Sequence, residues 1–371
     1  MMLSQELQSM MESHSPTENI DQLPDGMDRF QFQAQLGEGS YGAVFKALDT
    51  QTGGEVAIKL LADADAMALS AIDKECELLD ACKHPNIVAF VGKFRFQDQI
   101  GIAMEYVDGG ALSDVMEVCQ ITLAEPQIAA VMRHTLLALK ALHQSSKIHR
   151  DLKAGNLLLA SSGLCKLADF GIAAKLDDKG RRGSMIGTPH WMAPEVCMCT
   201  DGAGNSYDTK ADIWSLGIVM FELAKGETPY SDLHPIKAIG AIPVDPAPVL
   251  PDPENWSDDF VSFLTLCLEK DPRTRPTAED LLKHAFVATD AHLGAGLTGA
   301  SVDERAQYTL SSFFQDVIPR VNEYRERETT AAMAATAPTL KSDGTPDPAR
   351  GVFQDDDDED DAEDYGAGVE F

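Results

Sequence analysis

The sequence predicts an α+β fold in two lobes, a small N-terminal antiparallel sheet with one helix and then a larger, mainly α-helical lobe. Three observations carry this expectation. Residues 30–106 hold short β-type apolar runs around a single helical stretch. From Ser113 onward, apolar residues recur close to a period of 3.6. A glycine-rich turn joins the first two strand runs, and polar motifs at 149–156 and 169–171 interrupt the helical stretches.

Residues 1–29 are polar and acidic with Pro16 and Pro24, and read as a disordered arm. Phe32–Leu36 and Ala43–Leu48 flank the turn, and Glu55–Leu61 adds a third strand. Residues 65–82 show helical spacing through Met67, Ile72, Leu78 and Leu79, before Val88–Phe94 and Ile100–Tyr106 resume strand character. Helices follow at Ile128–His143, Asp212–Leu223 and Asp258–Leu268, the second opened by an acid suited to a helix start. Glycines 294, 296 and 299 mark a linker over 288–300. Residues 301–328 form an amphipathic helix with Leu310, Phe313, Phe314, Val317, Val321 and Tyr324 near one face, and Pro319 is placed to kink it. Two phenylalanines on a lone helix would lie in water, so the helix is expected to pack on its own domain in preference to a partner. Residues 329–371 read as a disordered tail.

The chain has 371 residues, 44% of them hydrophobic, and a formal charge of −30. That charge excludes nucleic acid and anionic membranes as main partners. Much of it is local, in the self-repelling run at 355–364. No stretch reaches the ~20 apolar residues of a spanning helix, and the N-terminus lacks a basic start before an apolar run. Seven scattered cysteines do not form a disulfide framework, and Cys197-Met198-Cys199 has no second ligand pair for a metal. A reduced, cytoplasmic setting fits these features.

The chemistry is concentrated in a few positions. Gly37, Gly39 and Gly42 let backbone lie close over phosphates, where side chains would collide. The turn joins two strands and does not open a helix, which favours a flap over a nucleotide against a dinucleotide-binding turn. Lys59 sits in the apolar run Val56-Ala57-Ile58-Lys59, and a buried ammonium needs counter-charges, which the α- and β-phosphates of ATP would supply. His149-Arg150-Asp151-Leu152-Lys153-Ala154-Gly155-Asn156, with Asp169-Phe170-Gly171 thirteen residues on, sets two carboxylates, an amide and a lysine where magnesium and a phosphate donor meet an acceptor hydroxyl. Such catalysis is positioning and electrostatics, so His149 reads as a packed scaffold residue.

With these motifs, residues 30–287 resemble a eukaryotic protein kinase. The run from Met185 to Glu195 is similar to the Ste20 group signature, and Pro229–Pro235 and Trp256–Phe260 resemble the Hippo/Mst branch of germinal-centre kinases. The resemblance implies the two-lobed protein kinase fold, with an N-lobe at 30–104, a hinge at 105–107 and a C-lobe at 108–287. It implies an ATP-dependent serine/threonine kinase, threonine preferred because of Ile172, that uses Mg2+ with Mn2+ as a substitute. Asp151 and Lys153 become the catalytic pair, with Thr188 touching both. Asn156 and Asp169 become the metal ligands. Leu36, Val44 and Ala57 roof the adenine, Leu158 floors it, Met104 guards the back, Glu105 and Val107 offer backbone groups, and Asp114 meets the ribose. Glu75, chosen over Glu77, pairs with Lys59. Glu195 pairs with Arg275, and Ser184 is the regulatory phosphorylation position, with Arg150 as the phosphate's partner.

The resemblance also implies protein substrates, with NDR/LATS-type kinases and Mob-type adaptors as the family's examples, and a homodimer for trans-autophosphorylation. Family relatives end in a helical dimerisation module and carry Thr-Met sites after the domain. No Thr-Met dipeptide follows residue 287 here, and residues 365–371 show no heptad-like helix. A catalytically weak or dead kinase-fold scaffold is the competing reading. The presence of Lys59, Glu75, Asp151, Asn156 and Asp169 argues against it.

Overall fold

A computed structural model of the chain describes residues 23–26, 28–39, 42–61, 72, 76, 80, 82–97, 99–169, 188–198, 208–293, 297 and 299–336. The β-type runs form a five-stranded antiparallel sheet, β1 (Phe30–Gly39), β2 (Gly42–Asp49), β3 (Glu55–Leu61), β4 (Phe90–Phe96) and β5 (Gln99–Glu105), in the order β1-β2-β3-β5-β4. Val44 stands opposite Lys59, Lys46 opposite Ala57, Ala57 opposite Met104 and Lys59 opposite Ile102. Opposed residues share a face, so this register puts Val44, Ala57, Lys59, Ile102 and Met104 on one side. The other side carries Ala47, Val56, Ile58, Leu60 and Ala103, which close a separate core with Phe30 and Phe94. Lys59 thus enters a strand whose alternate residues are anchored by that core, which fixes the direction of its ammonium.

The described residues 23–26, 28 and 29 depart from the expectation of a disordered arm. Leu23 is buried, Asp25 bridges Arg95, and Arg29 donates to both oxygens of the buried Asp49 at 3.0 and 2.9 Å. The polar composition of the stretch hides this, because its one arginine meets a carboxylate twenty residues away. Of the expected helix at 65–82, the described residues Ile72, Cys76 and Asp80 are helical at four-residue spacing, and the first two are buried.

The second lobe holds α1 (Leu112–Cys119), α2 (Glu125–Gln144), α3 (Pro194–Cys197), α4 (Lys210–Lys225), α5 (Pro235–Val244), α6 (Asp258–Cys267), α7 (Ala278–Leu281) and α8 (Ala285–Ala288). A hairpin of β6 (Leu157–Leu159) and β7 (Cys165–Leu167) lies between α2 and α3. Its three-residue strands are too short for periodicity to reveal. α4 is buried on nearly every side and forms the axis of the lobe. α6 starts where Ser257 Oγ accepts from Phe260 N–H at 3.1 Å, with Asp258 and Asp259 complementing the helix dipole.

After α8, His292 lies between Glu125 Oε1 of α2 at 3.1 Å and Asp259 Oδ2 of α6 at 2.9 Å. α9 (Val302–Thr336) continues past residue 328 and runs through Pro319. The chain divides into two units after Val321. In the first unit, Ala306, Leu310, Phe313, Phe314, Val317 and Val321 are buried in the same core as α1 and α2. Among the described residues no helix is long and apolar enough to cross a membrane.

Candidate active site

The anchored face of β3 presents Lys59 to the segment after β7. Lys59 Nζ donates to Asp169 Oδ1 at 2.9 Å and Oδ2 at 3.1 Å. The lysine side chain is 7% exposed while Asp169 is 41% exposed, so the pair stands at a mouth. Asp169 has φ 55°, a left-handed conformation uncommon for a residue with a side chain. Its neighbour Ala168 fixes it in place. Ala168 N–H donates to Asn156 O at 2.9 Å, and Ala168 O meets His149 Nε2 at 3.0 Å. His149 is buried, and its ring makes this scaffold bond.

Asp151, Lys153 and Thr188 form a closed triangle. Thr188 Oγ1 donates to Asp151 Oδ1 at 2.8 Å, Lys153 Nζ donates to Thr188 Oγ1 at 3.1 Å, and Lys153 Nζ lies 3.2 Å from Asp151 Oδ2. Burial alone would push the Asp151 carboxyl up. The Lys153 charge and the Thr188 hydroxyl outweigh it and hold the group below the usual carboxylate range. Asn156 Nδ2 donates to Asp151 O at 2.6 Å and Oδ2 at 3.1 Å. The geometry therefore brings together Lys59 with Asp169, and Asp151 with Lys153, Asn156 and Thr188.

Two acids on α4 support this loop, and motif reading missed both roles. Asp212 is buried and accepts from His149 N–H at 2.8 Å, Arg150 N–H at 3.0 Å and His143 Nε2 at 2.8 Å. Those bonds hold Arg150 at φ 75°, in the left-handed region. Glu222 accepts from Trp191 Nε1 at 2.9 Å and Ala154 N–H at 3.2 Å, and so joins the catalytic loop to the segment carrying Thr188. The available signal was an acidic residue inside a largely apolar helix; the motif pattern marks Asp212 only as a helix start.

The burial that pushes the Asp212 carboxyl up is outweighed by His143, His149 and the Arg150 N–H, and the group lies below its usual value. A depressed pKa stabilises the fold fully above the unfolded value of about 3.9, and that stability is lost as pH falls through the folded value. The melting temperature of Asp212→Asn is therefore expected to lie below the parent's at pH 5, where the carboxylate is ionised. The gap closes in stronger acid, where the parent's own carboxylate is protonated. Thermal melts from pH 5 into that acid range check it.

Farther along, Arg275 is fully buried and donates to Glu195 Oε1 at 2.7 Å and Oε2 at 3.1 Å. The same guanidinium donates to the carbonyls of Glu269 and Lys210, each at 2.7 Å, and faces the Trp214 ring.

Most of the remaining residues named from the sequence are described, and three lie outside the described set. Leu36, Gly37 and Gly39 end β1, Gly42 and Val44 begin β2, and Ala57 and Met104 are opposed in β3 and β5. Glu105 Oε1 pairs with Lys166 Nζ at 2.9 Å, so its side chain points away and its backbone is what remains for a ligand. Val107 is buried in a small core that Met104 and Leu158 adjoin. Asp114 is exposed in the first turn of α1. Glu75, Ile172 and Ser184 lie outside the described residues.

A hard divalent cation takes oxygen ligands. Asp169 offers a half-exposed carboxylate, and Asn156 commits its Nδ2 to Asp151, which leaves its side-chain oxygen for a ligand. Among the described residues no cluster of three or more His, Cys, Asp or Glu side chains could hold a metal by itself. This donor set suits a cation whose coordination is completed by phosphate oxygens.

A protein kinase domain model matches residues 30–287. Serine/threonine-protein kinase 1 of Arabidopsis thaliana is 39% identical over 346 residues, covering 90% of this chain and 38% of the relative. Serine/threonine-protein kinase dst1 of Dictyostelium discoideum is 45% identical over 269 residues, covering 72% of this chain and 36% of the relative. Serine/threonine-protein kinase cst-1 of Caenorhabditis elegans is 46% identical over 260 residues, covering 70% of this chain and 51% of the relative. The chain thus spans between about a third and a half of the length of these relatives. Together with the lysine, loop and Asp169 geometry, the match over residues 30–287 settles the family: the chain belongs to the protein kinases.

Proposed function

We propose that this chain transfers the γ-phosphoryl group of ATP to serine and threonine hydroxyls of protein substrates, with threonine preferred through Ile172. The observation that carries the reading is the Asp151–Lys153–Thr188 triangle beside the Lys59–Asp169 pair. Lys59 holds the α- and β-phosphates. Asp151, kept ionised, accepts the hydrogen bond of the acceptor hydroxyl and aims its oxygen at the γ-phosphorus. A new phosphorus–oxygen bond forms, the bond to the β-phosphate oxygen breaks, and the hydroxyl proton passes to Asp151. Lys153 neutralises charge on the moving phosphoryl group, and Thr188 holds both side chains at reacting distance. Asn156 and Asp169 are the ligands for Mg2+, with Mn2+ as a substitute; the bound cation screens the phosphate charges. Leu36, Val44, Ala57, Met104 and Leu158 enclose the adenine, the backbone at Glu105 and Val107 meets its edge, and Asp114 meets the ribose.

Incubating the full chain with γ-labelled ATP, Mg2+ and matched threonine and serine peptides tests this directly. Label is expected on both, more on threonine, and label on neither would overturn the reading. The same observation leaves the dead-scaffold alternative without support.

Regulation is proposed at Ser184. A phosphate there adds about −1.5 to −2 charges at pH 7 and suits Arg150, whose exposed side chain leaves the strained catalytic loop. Ser184→Ala is expected to lower peptide phosphorylation, and Ser184→Asp to restore little, because one carboxylate replaces three phosphate oxygens poorly. Full activity of Ser184→Ala would refute the assignment. Partners follow the same reading: protein substrates, NDR/LATS-type kinases and Mob-type adaptors among them, a second copy for trans-autophosphorylation, no nucleic acid, no membrane insertion, and a cytoplasmic location.

A further inference from the structure

We propose that residues 302–321 are a working part of the nucleotide site, and that Phe314 is a positioning residue for ATP binding. The inference rests on reading the cleft as that site. Its starting point is the short segment between the hinge and α1. Gly109 N–H donates to Leu159 O at 2.9 Å, Leu159 N–H donates to Gly110 O at 2.9 Å, and Ala111 bridges Leu158. The segment that leads to Asp114 is thereby laid along β6, the strand that carries the adenine floor. Neither can shift alone.

The first part of α9 backs this layer at three places. A Cβ on Gly109 would come within 2.9 Å of Phe314 Cε2 and 2.2 Å of Leu159 O, so the phenyl ring and β6 grip bare backbone between them. At the β6–β7 turn, Gly163 has φ +80°, and a Cβ there would lie 2.0 Å from Gln307 O and 2.8 Å from Ser311 N, so turn and helix meet backbone to backbone. Gln307 Nε2 also donates to Ser162 O at 2.8 Å. At the end of α1, Arg320 Nη2 donates to Cys119 O at 2.5 Å, and Cys119 Sγ lies 3.9 Å from Val317 O. Positions 307, 314, 317 and 320 recur at helical spacing, so one face touches the hairpin turn, the hinge exit and the helix that bears Asp114.

The helix is also tied to the rest of the lobe, through Asp303 to Arg133 of α2 at 2.6 Å and through Thr309 to Leu293 O at 3.2 Å; the three contacts above are the ones that back the layer beside the nucleotide site. The match to the Arabidopsis relative leaves about 37 of 371 residues uncovered, and residue 321 stands 50 residues from the last position, so this helix lies within the shared region.

The test measures ATP and peptide separately on the full chain. For Phe314→Ala, KM for ATP and the dissociation constant of ADP by calorimetry are expected to rise by about tenfold, with KM for peptide and kcat within about twofold. Phe314→Leu is expected to recover most of the loss. A lowered melting temperature with unchanged ATP and ADP affinities would overturn the proposal and leave a purely structural role. Should Phe314→Ala not fold, Arg320→Ala and Gln307→Ala carry the same readout: weakened ATP and ADP binding supports the proposal, and unchanged binding overturns it. The parent enzyme keeps the two proposals apart: if it neither binds ADP nor transfers label, the proposed function has failed; if it does both and the variants match it, only this inference has.

Discussion

Asp169→Asn is expected to remove phosphoryl transfer, by at least about 10²- to 10³-fold in kcat, the scale for deleting one preorganised electrostatic group. The substitution keeps volume and one oxygen but discards the charge that faces Lys59 at 2.9 Å and the carboxylate proposed for the cation. The backbone has little reason to move. Ala168 remains bonded to Asn156 and His149 through main-chain atoms, and the φ of 55° at position 169 suits asparagine better than most residues. The melting temperature should fall by less than for a buried ion pair lost outright, because asparagine still offers Lys59 an oxygen, while label incorporation from γ-labelled ATP disappears. Equal label on parent and variant would remove Asp169 from the mechanism, and with it the role given to the neighbouring Asn156.

Glu195→Ala is expected to cost stability on the scale of breaking a buried ion pair, about 3–5 kcal/mol, or on the order of 10 °C in melting temperature. The cost arises because Arg275, fully buried, keeps its charge and loses the two oxygens that faced it. Arg275→Met is expected to fare no better, although a methionine fills the space. The carbonyls of Glu269 and Lys210 each accept from that guanidinium at 2.7 Å and would be left without it. Glu195→Gln, which retains one acceptor, should fall between. Differential scanning calorimetry of the three variants orders them, and a loss under about 1 kcal/mol for Glu195→Ala would contradict the argument.

Legibility in the sequence followed the distance over which each interaction is encoded. Lys153, Asn156 and Asp169 stand at short fixed offsets from Asp151, so spacing alone brought them to notice. Glu195 and Arg275, eighty residues apart, were paired only through the family resemblance, and the structure joins them with two bonds. Asp212 and Glu222 escaped because the bonds by which they hold the loop come from its backbone N–H groups some sixty residues earlier, and main-chain donors leave no mark in a sequence. Residues 23–26, 28 and 29 escaped because a polar composition conceals a single arginine aimed at Asp49. The amphipathic stripe of α9 was visible, but its seat was not. That seat depends on side chains missing from Gly109 and Gly163, and small residues are silent in any hydrophobic pattern.

The seating of α9 also bears on how the catalytic half should be handled in isolation. The family match ends at 287, an inviting place to cut. A fragment ended there would lose the phenylalanines and aliphatic side chains that now shield Val115, Met116 and Cys119 of α1. It would bare an oily trough beside the proposed adenine slot, and two such fragments could each satisfy the other's trough. Clumping of the shortened protein would then report the excision of a missing wall, and says nothing against the fold that remains.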